Sequence, residues 1–190
     1  MIFLVVAVLS FSLVHFIPAL PGVKSRLKIR FGGAYGPLFG LAATITLIGV
    51  IWAWSMTEFV PVYEPVKYSR YINMGFTFIA FGFLGIFAFR GKLRQFFRFP
   101  FAIAVVFWAV GHLIANGDQA SIILFGGLLI YALVFIVLSI ANKIFPALLV
   151  RDGHDTLSLV VGASVYIGMV QLHEILIGVP VIRIEQFFGG

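Results

Sequence analysis

The sequence predicts an all-α integral membrane bundle of about six transmembrane helices, and three observations support that prediction. Of 190 residues, 62% are hydrophobic and 11% charged; a mean hydropathy of +1.11 describes a chain that cannot hide its apolar surface from water. The apolar residues fall into six runs of about 20 residues, the length that spans a hydrocarbon core as helix. Those runs are rich in Leu, Ile, Phe and Ala and lack the strict alternation of a lipid-facing barrel. No length remains for a separate soluble unit, so residues 1–190 read as one transmembrane helical domain.

In chain order the spans are expected near 2–20, 37–55, 71–89, 99–115, 120–141 and 157–178. The first lacks a basic leading segment and a small-residue cleavage pattern, and Pro18 and Pro21 lead straight into a basic loop. It is therefore expected to be a retained span and not a removed signal. The second ends near Trp52 and Trp54, placed as an aromatic belt would be at a membrane boundary. The third runs from Tyr71 to Phe89 into a second basic loop. Between the fourth and fifth, Asn116 and Gly117 can close one helix and Asp118 can cap the next, which makes a tight antiparallel hairpin. Gly126 and Gly127 in the fifth span suit close helix packing, as do Gly32, Gly36 and Gly40, spaced by four. The sixth span contains His173 and Glu174.

Orientation follows from the thirteen basic residues. Lys24, Arg26, Lys28 and Arg30 lie in the first loop; Arg90, Lys92, Arg94 and Arg98 in the third; Lys143 and Arg151 in the fifth. Lys67, Arg70 and Arg183 fall elsewhere. Loops one, three and five are thus expected to be cytoplasmic, with both termini on the opposite side. The net charge of +6 is explained by this topology and by contact with anionic lipid, so nucleic acid is not an expected partner. The absence of cysteine excludes disulfides, iron–sulfur clusters, thiolate zinc sites and covalent haem attachment through a Cys pair.

Intramembrane ionisable groups are costly and so become functional candidates: His15, His112, His173 and Glu174. One buried histidine has an ordinary explanation in an interhelical hydrogen bond. Three in one small bundle favour haem, because imidazole is the usual ligand when facing helices hold a porphyrin. Zinc and di-iron centres call for more carboxylates or more clustered histidines. Trp108, His112 and Asn116 are successive members of one helical stripe that can line a pocket. His154, between Asp152 and Asp155, is expected to be solvated.

The run Trp108-Ala109-Val110-Gly111-His112-Leu113-Ile114-Ala115-Asn116-Gly117-Asp118, continuing through Ser121 to Leu124-Phe125-Gly126-Gly127, resembles the NnrU family of bacterial membrane proteins. His15 followed by Pro18, Pro21 and Arg26, then Gly33, Tyr35 and Phe39, resembles the same family's first helix and loop. The similarity extends from about Val14 to Gly127, and the last two spans are generic. NnrU proteins are related to plant 15-cis-zeta-carotene isomerase, an integral membrane enzyme carrying haem b. The resemblance implies His15 and His112 as axial ligands. The helical stripe then puts Trp108 and Asn116 beside His112, and with His15 as a ligand Lys24, Arg26 or Lys28 is the expected cationic partner for haem propionates. The resemblance also implies a bacterial inner membrane location, which with the charge-based topology makes the termini periplasmic. One departure is Arg98-Phe99-Pro100, where the family usually reads Arg-His-Pro, so no role of that histidine carries over.

By depth, His112 lies roughly 20 Å along its helix from the basic side and His15 roughly 8 to 12 Å from it. His173 matches His112 better in depth and is the substitute ligand. Three functions follow. The first is a non-covalent haem b protein, linked by resemblance to denitrification and nitric oxide metabolism and working with a membrane redox partner. The second is a haem-dependent isomerase of a hydrophobic polyene. The third is a non-enzymatic scaffold in which the histidines only pack helices.

Overall fold

The structure is a computed structural model and describes residues 1–144 and 149–181; Arg183 lies outside them. It is built from helices α1 (Ile2–Phe16), α2 (Pro21–Phe31), α3 (Tyr35–Ser55), α4 (Ser69–Ala88), α5 (Lys92–Phe96), α6 (Pro100–Ala115), α7 (Gln119–Ser121), α8 (Gly127–Ala141) and α9 (His154–Ile177). A π-helical segment, Ile122–Gly126, joins α7 to α8, so Gln119–Ala141 forms one continuous rod. Among the described residues the only extended pairing is a single antiparallel bridge between Pro61 and Asp118.

Five helical segments are long and apolar enough to cross a membrane: Ile2–Ala19, Pro21–Ser55, Ser69–Ala88, Gln119–Ala141 and His154–Ile177. The sixth apolar helix, α6, has 16 residues, about 24 Å of rise against a hydrocarbon core of about 30 Å. All six fall on the predicted runs. The chain is a multi-pass membrane protein of all-α architecture.

The helices pack in the spatial order α3, α1, α8, α6, α4, α9. The core lies where α1, α3, α6 and the rod meet, around Leu4, Val8, Phe11, Val50, Ala109, Phe125 and Tyr131. Within lipid, apolar side chains gain little by leaving it, so close backbone approach decides where helices cross. α4 and α9 cross through glycine: a Cβ on Gly162 would sit 2.6 Å from the Phe81 carbonyl oxygen, and one on Gly85 would strike the Ser158 carbonyl. Gly111 of α6 packs on Asn73 and Phe76 of α4, and Gly127 packs on Val8 of α1. The expectation of close packing therefore holds for Gly127. At Gly126, Gly32, Gly36 and Gly40 a Cβ would meet nothing within 4 Å, so their spacing does not mark a helix contact among the described residues.

Two predicted loops contain helices. The basic segment after Pro21 is α2, started by proline in its first turn and ended at Gly32 with φ 53°; proline lacks only an N–H that a first turn leaves unpaired anyway. The segment after Arg90 contains α5, whose first turn is capped by Asp155: its carboxylate accepts from the backbone N–H of Leu93 at 2.9 Å and of Lys92 at 3.1 Å. His154 is likewise not simply solvated. Its Nδ1 accepts from the Arg90 N–H at 3.1 Å and its ring meets Phe89, because the start of α9 is folded against the end of α4.

The hairpin between α6 and α7 forms as expected at Asp118. Its carboxylate accepts from the Ser121 N–H at 2.9 Å and from the Ser121 hydroxyl at 2.5 Å. Asp118→Ala is expected to destabilise the fold by about 1 kcal/mol, the usual value of an N-cap, measured as a lower midpoint in detergent unfolding. Gly117 serves differently from the prediction. Its φ is not positive; instead a Cβ there would strike the Tyr63 carbonyl.

Candidate functional site

The segment between α3 and α4 crosses the end of α6 as a strap. Gly117 O accepts from the N–H groups of Val62 (2.8 Å) and Tyr63 (3.0 Å), while Val60 O accepts from Gln119 N–H at 2.8 Å. The Tyr63 hydroxyl donates to Asn116 O at 2.8 Å and also meets Leu113 O. These bonds satisfy carbonyls that the last turn of a helix leaves without intrahelical partners, one turn beyond His112. Burial, with the Asp118 charge adding to it, pushes the Tyr63 hydroxyl above its ordinary pKa of 10.0. A raised folded-state value means that this contribution is complete below pH 10 and is lost as pH climbs through the raised value. Tyr63→Phe is expected to cost about 1 kcal/mol at neutral pH. The gap between it and wild type should close above pH 10, read from paired unfolding midpoints.

His112 lies on α6, half-buried. Its Nδ1 is 2.8 Å from the Trp108 carbonyl oxygen, four residues back. Its ring stacks on Phe125 at 4.4 Å and 25°, with Trp108 at 5.0 Å on another side. His15 repeats this arrangement on α1. Its Nδ1 is 2.8 Å from the Phe11 carbonyl oxygen, again four back. Its ring stacks on Phe11 at 3.8 Å and 22°, and Phe39 and Tyr131 close around it at 6.2 Å each.

A carbonyl oxygen only accepts, so in both rings Nδ1 carries the proton and Nε2 keeps its lone pair. Among the described residues neither Nε2 has a hydrogen-bond partner. Histidines that bind metal commonly donate their second nitrogen to a carbonyl in this way, which sets the tautomer and raises the basicity of the ligating atom. The donor chemistry of each ring, a neutral imidazole with Nε2 unprotonated, therefore suits the iron of a porphyrin.

His173 differs. Its Nδ1 is bonded forward to the Val179 carbonyl oxygen at 2.6 Å, beyond the end of α9, and no ring contact to it occurs among the described residues. It lies within electrostatic range of His112. His15 and His112 are brought to the same rod but at different depths. His112 stacks on Phe125 and His15 borders Tyr131, six residues further along, roughly 9 Å of helix. The depth offset expected from the sequence is thus retained. Among the described residues no cluster of three or more His, Asp or Glu can hold a bare metal ion.

The remaining predicted residues take plainer places. Asn116 ends α6, its N–H bonded to His112 O at 2.8 Å. Arg26 is exposed on α2 and is not brought against His15 by any contact among the described residues. Sequence reasoning missed Phe11, Phe125 and Tyr131. The first was legible, since Phe11 is four residues before His15; Phe125 and Tyr131 were not. A π-helical segment shifts the register of the rod, and it places Phe125 against His112.

No curated protein and no solved structure matched the chain. The family model described as NnrU protein matches residues 3–181, which takes in the last two spans as well as the motifs around His15 and His112. The chain belongs to the NnrU family.

Proposed function

We propose that this NnrU protein is a haem b membrane protein in which His15 and His112 would hold the iron through Nε2. The supporting observation is the matched environment of the two rings: each gives Nδ1–H to the carbonyl four residues back and each stacks one face on a phenylalanine. Helix packing alone would use a buried imidazole in an interhelical hydrogen bond, and among the described residues neither Nε2 makes one. Phe11, Phe39 and Tyr131 around one imidazole, and Trp108 and Phe125 around the other, restrict rotation and exclude water. Haem held there would supply a one-electron couple or a binding place for a gas or a polyene. The role that the family resemblance favours is redox chemistry linked to nitrogen oxides, with a membrane redox partner, in the bacterial inner membrane; the basic loops favour periplasmic termini.

The test is a visible spectrum of the detergent-purified chain, oxidised and reduced. A Soret band with sharp, low-spin α and β bands on reduction is the expected result, and a featureless visible region would overturn the proposal. Isomerase chemistry is the second reading, favoured by the apolar, aromatic surroundings of His15. Adding a cis-carotene to the reduced protein and separating isomers by chromatography distinguishes it: conversion supports the isomerase, and unchanged substrate with an intact spectrum leaves the redox role.

A further inference from the structure

α2 has no buried residue, yet it is a regular helix of 11 residues, a length that is marginal in water on its own. Its sequence is ordered around the helix. Val23, Leu27 and Phe31 follow one another at intervals of four and form an apolar stripe; Arg26 and Arg30 flank it on one side, Lys24 and Lys28 on the other. Ile29, 83% exposed, lies on the far face with Ser25. The first acidic residue of the chain is Glu58, so no carboxylate near in sequence competes for these four cations. α2 also cannot extend α3 through the bilayer. Pro21–Ser55 comprises 35 residues, about 52 Å of helix against a core of about 30 Å, and Gly32 at φ 53° breaks it. Across that break Lys28 Nζ, on α2, sits 6.0 Å from the centre of the ring of Tyr35, on α3.

We propose that α2 lies in the membrane surface as a recognition helix for anionic phospholipid headgroups. Its stripe enters the acyl boundary, while the flanking lysines and arginines extend along it to reach the headgroup phosphates. The surface supplies both the apolar partner and the counter-charge that the other described residues do not.

The full chain is to be reconstituted in nanodiscs of phosphatidylcholine doped with phosphatidylglycerol, and the lipids that remain bound on detergent extraction quantified by mass spectrometry. Phosphatidylglycerol should be enriched over phosphatidylcholine for wild type. Enrichment should fall about fivefold for each charge removed in the series ending at Lys24→Gln/Arg26→Gln/Lys28→Gln/Arg30→Gln. Equal enrichment in wild type and that variant overturns the proposal, and so does displacement of the lipid by inorganic phosphate at constant ionic strength, which would assign the site to a free anion. A second pair guards against misinsertion of the multiple variant: Leu27→Asp should reduce enrichment severalfold and Ile29→Asp much less. Equal losses from the pair would contradict the placement of the stripe.

Discussion

His112→Ala is expected to leave the purified protein without its Soret band. Removing even an outer partner of a metal-bound histidine lowers affinity by about 10- to 100-fold, and removal of the ligand itself should exceed that. His15→Ala should behave in the same way, because the two rings have matched anchors at Phe11 and Trp108 and matched stacking partners. His173→Ala should keep haem at the wild-type level, since that ring is tied to Val179 at the end of α9. Retained haem in His15→Ala, with loss in His173→Ala, would replace the first donor by the second. Added imidazole should restore the band in His112→Gly, an outcome that a merely structural role would not produce.

The largest effect on stability is expected at the crossing of α4 and α9. Gly162→Leu forces side-chain atoms into the Phe81 carbonyl and the backbone of Gly82, which cannot move without unwinding α4. Overpacking against mobile side chains costs about 1–3 kcal/mol; here the obstacle is main chain, so about 3 kcal/mol or more is expected. A Cβ at Gly168 on the same helix would meet nothing within 4 Å, so Gly168→Leu should not destabilise and is expected to gain up to about 1 kcal/mol of helix propensity. Unfolding in increasing dodecyl sulfate, followed by tryptophan fluorescence, compares them. Equal midpoints would mean that α9 is not held through this crossing.

The spans were legible because lipid imposes a length on every apolar run, and the predicted and observed helices coincide for that reason. The hairpin cap at Asp118 was legible from local chemistry, since its oxygens are satisfied within three residues at Ser121. Elements fixed by distant parts of the chain were not. α5 owes its first turn to Asp155, more than sixty positions away, and Gly117 is explained only by the strap residue Tyr63. The same division applies at the site. His15 and His112 stood out as costly ionisable groups in apolar surroundings, whereas Phe125 and Tyr131 looked like any other core aromatic until the π-helical segment placed one of them against a histidine. α2 was hidden for a third reason: its dense charge reads as a loop and a topology signal, while its helical order depends on intervals of four that a count of charges does not register.

Two imidazoles from separate lipid-embedded helices that ligate one porphyrin fix the stoichiometry of binding. Iron and haem per chain, quantified as the pyridine haemochrome on wild type purified from a haem-supplied host, test it most directly. Close to one haem b per chain is expected. Fully folded protein that carries neither iron nor haem, and takes up none on addition of haemin, would contradict it.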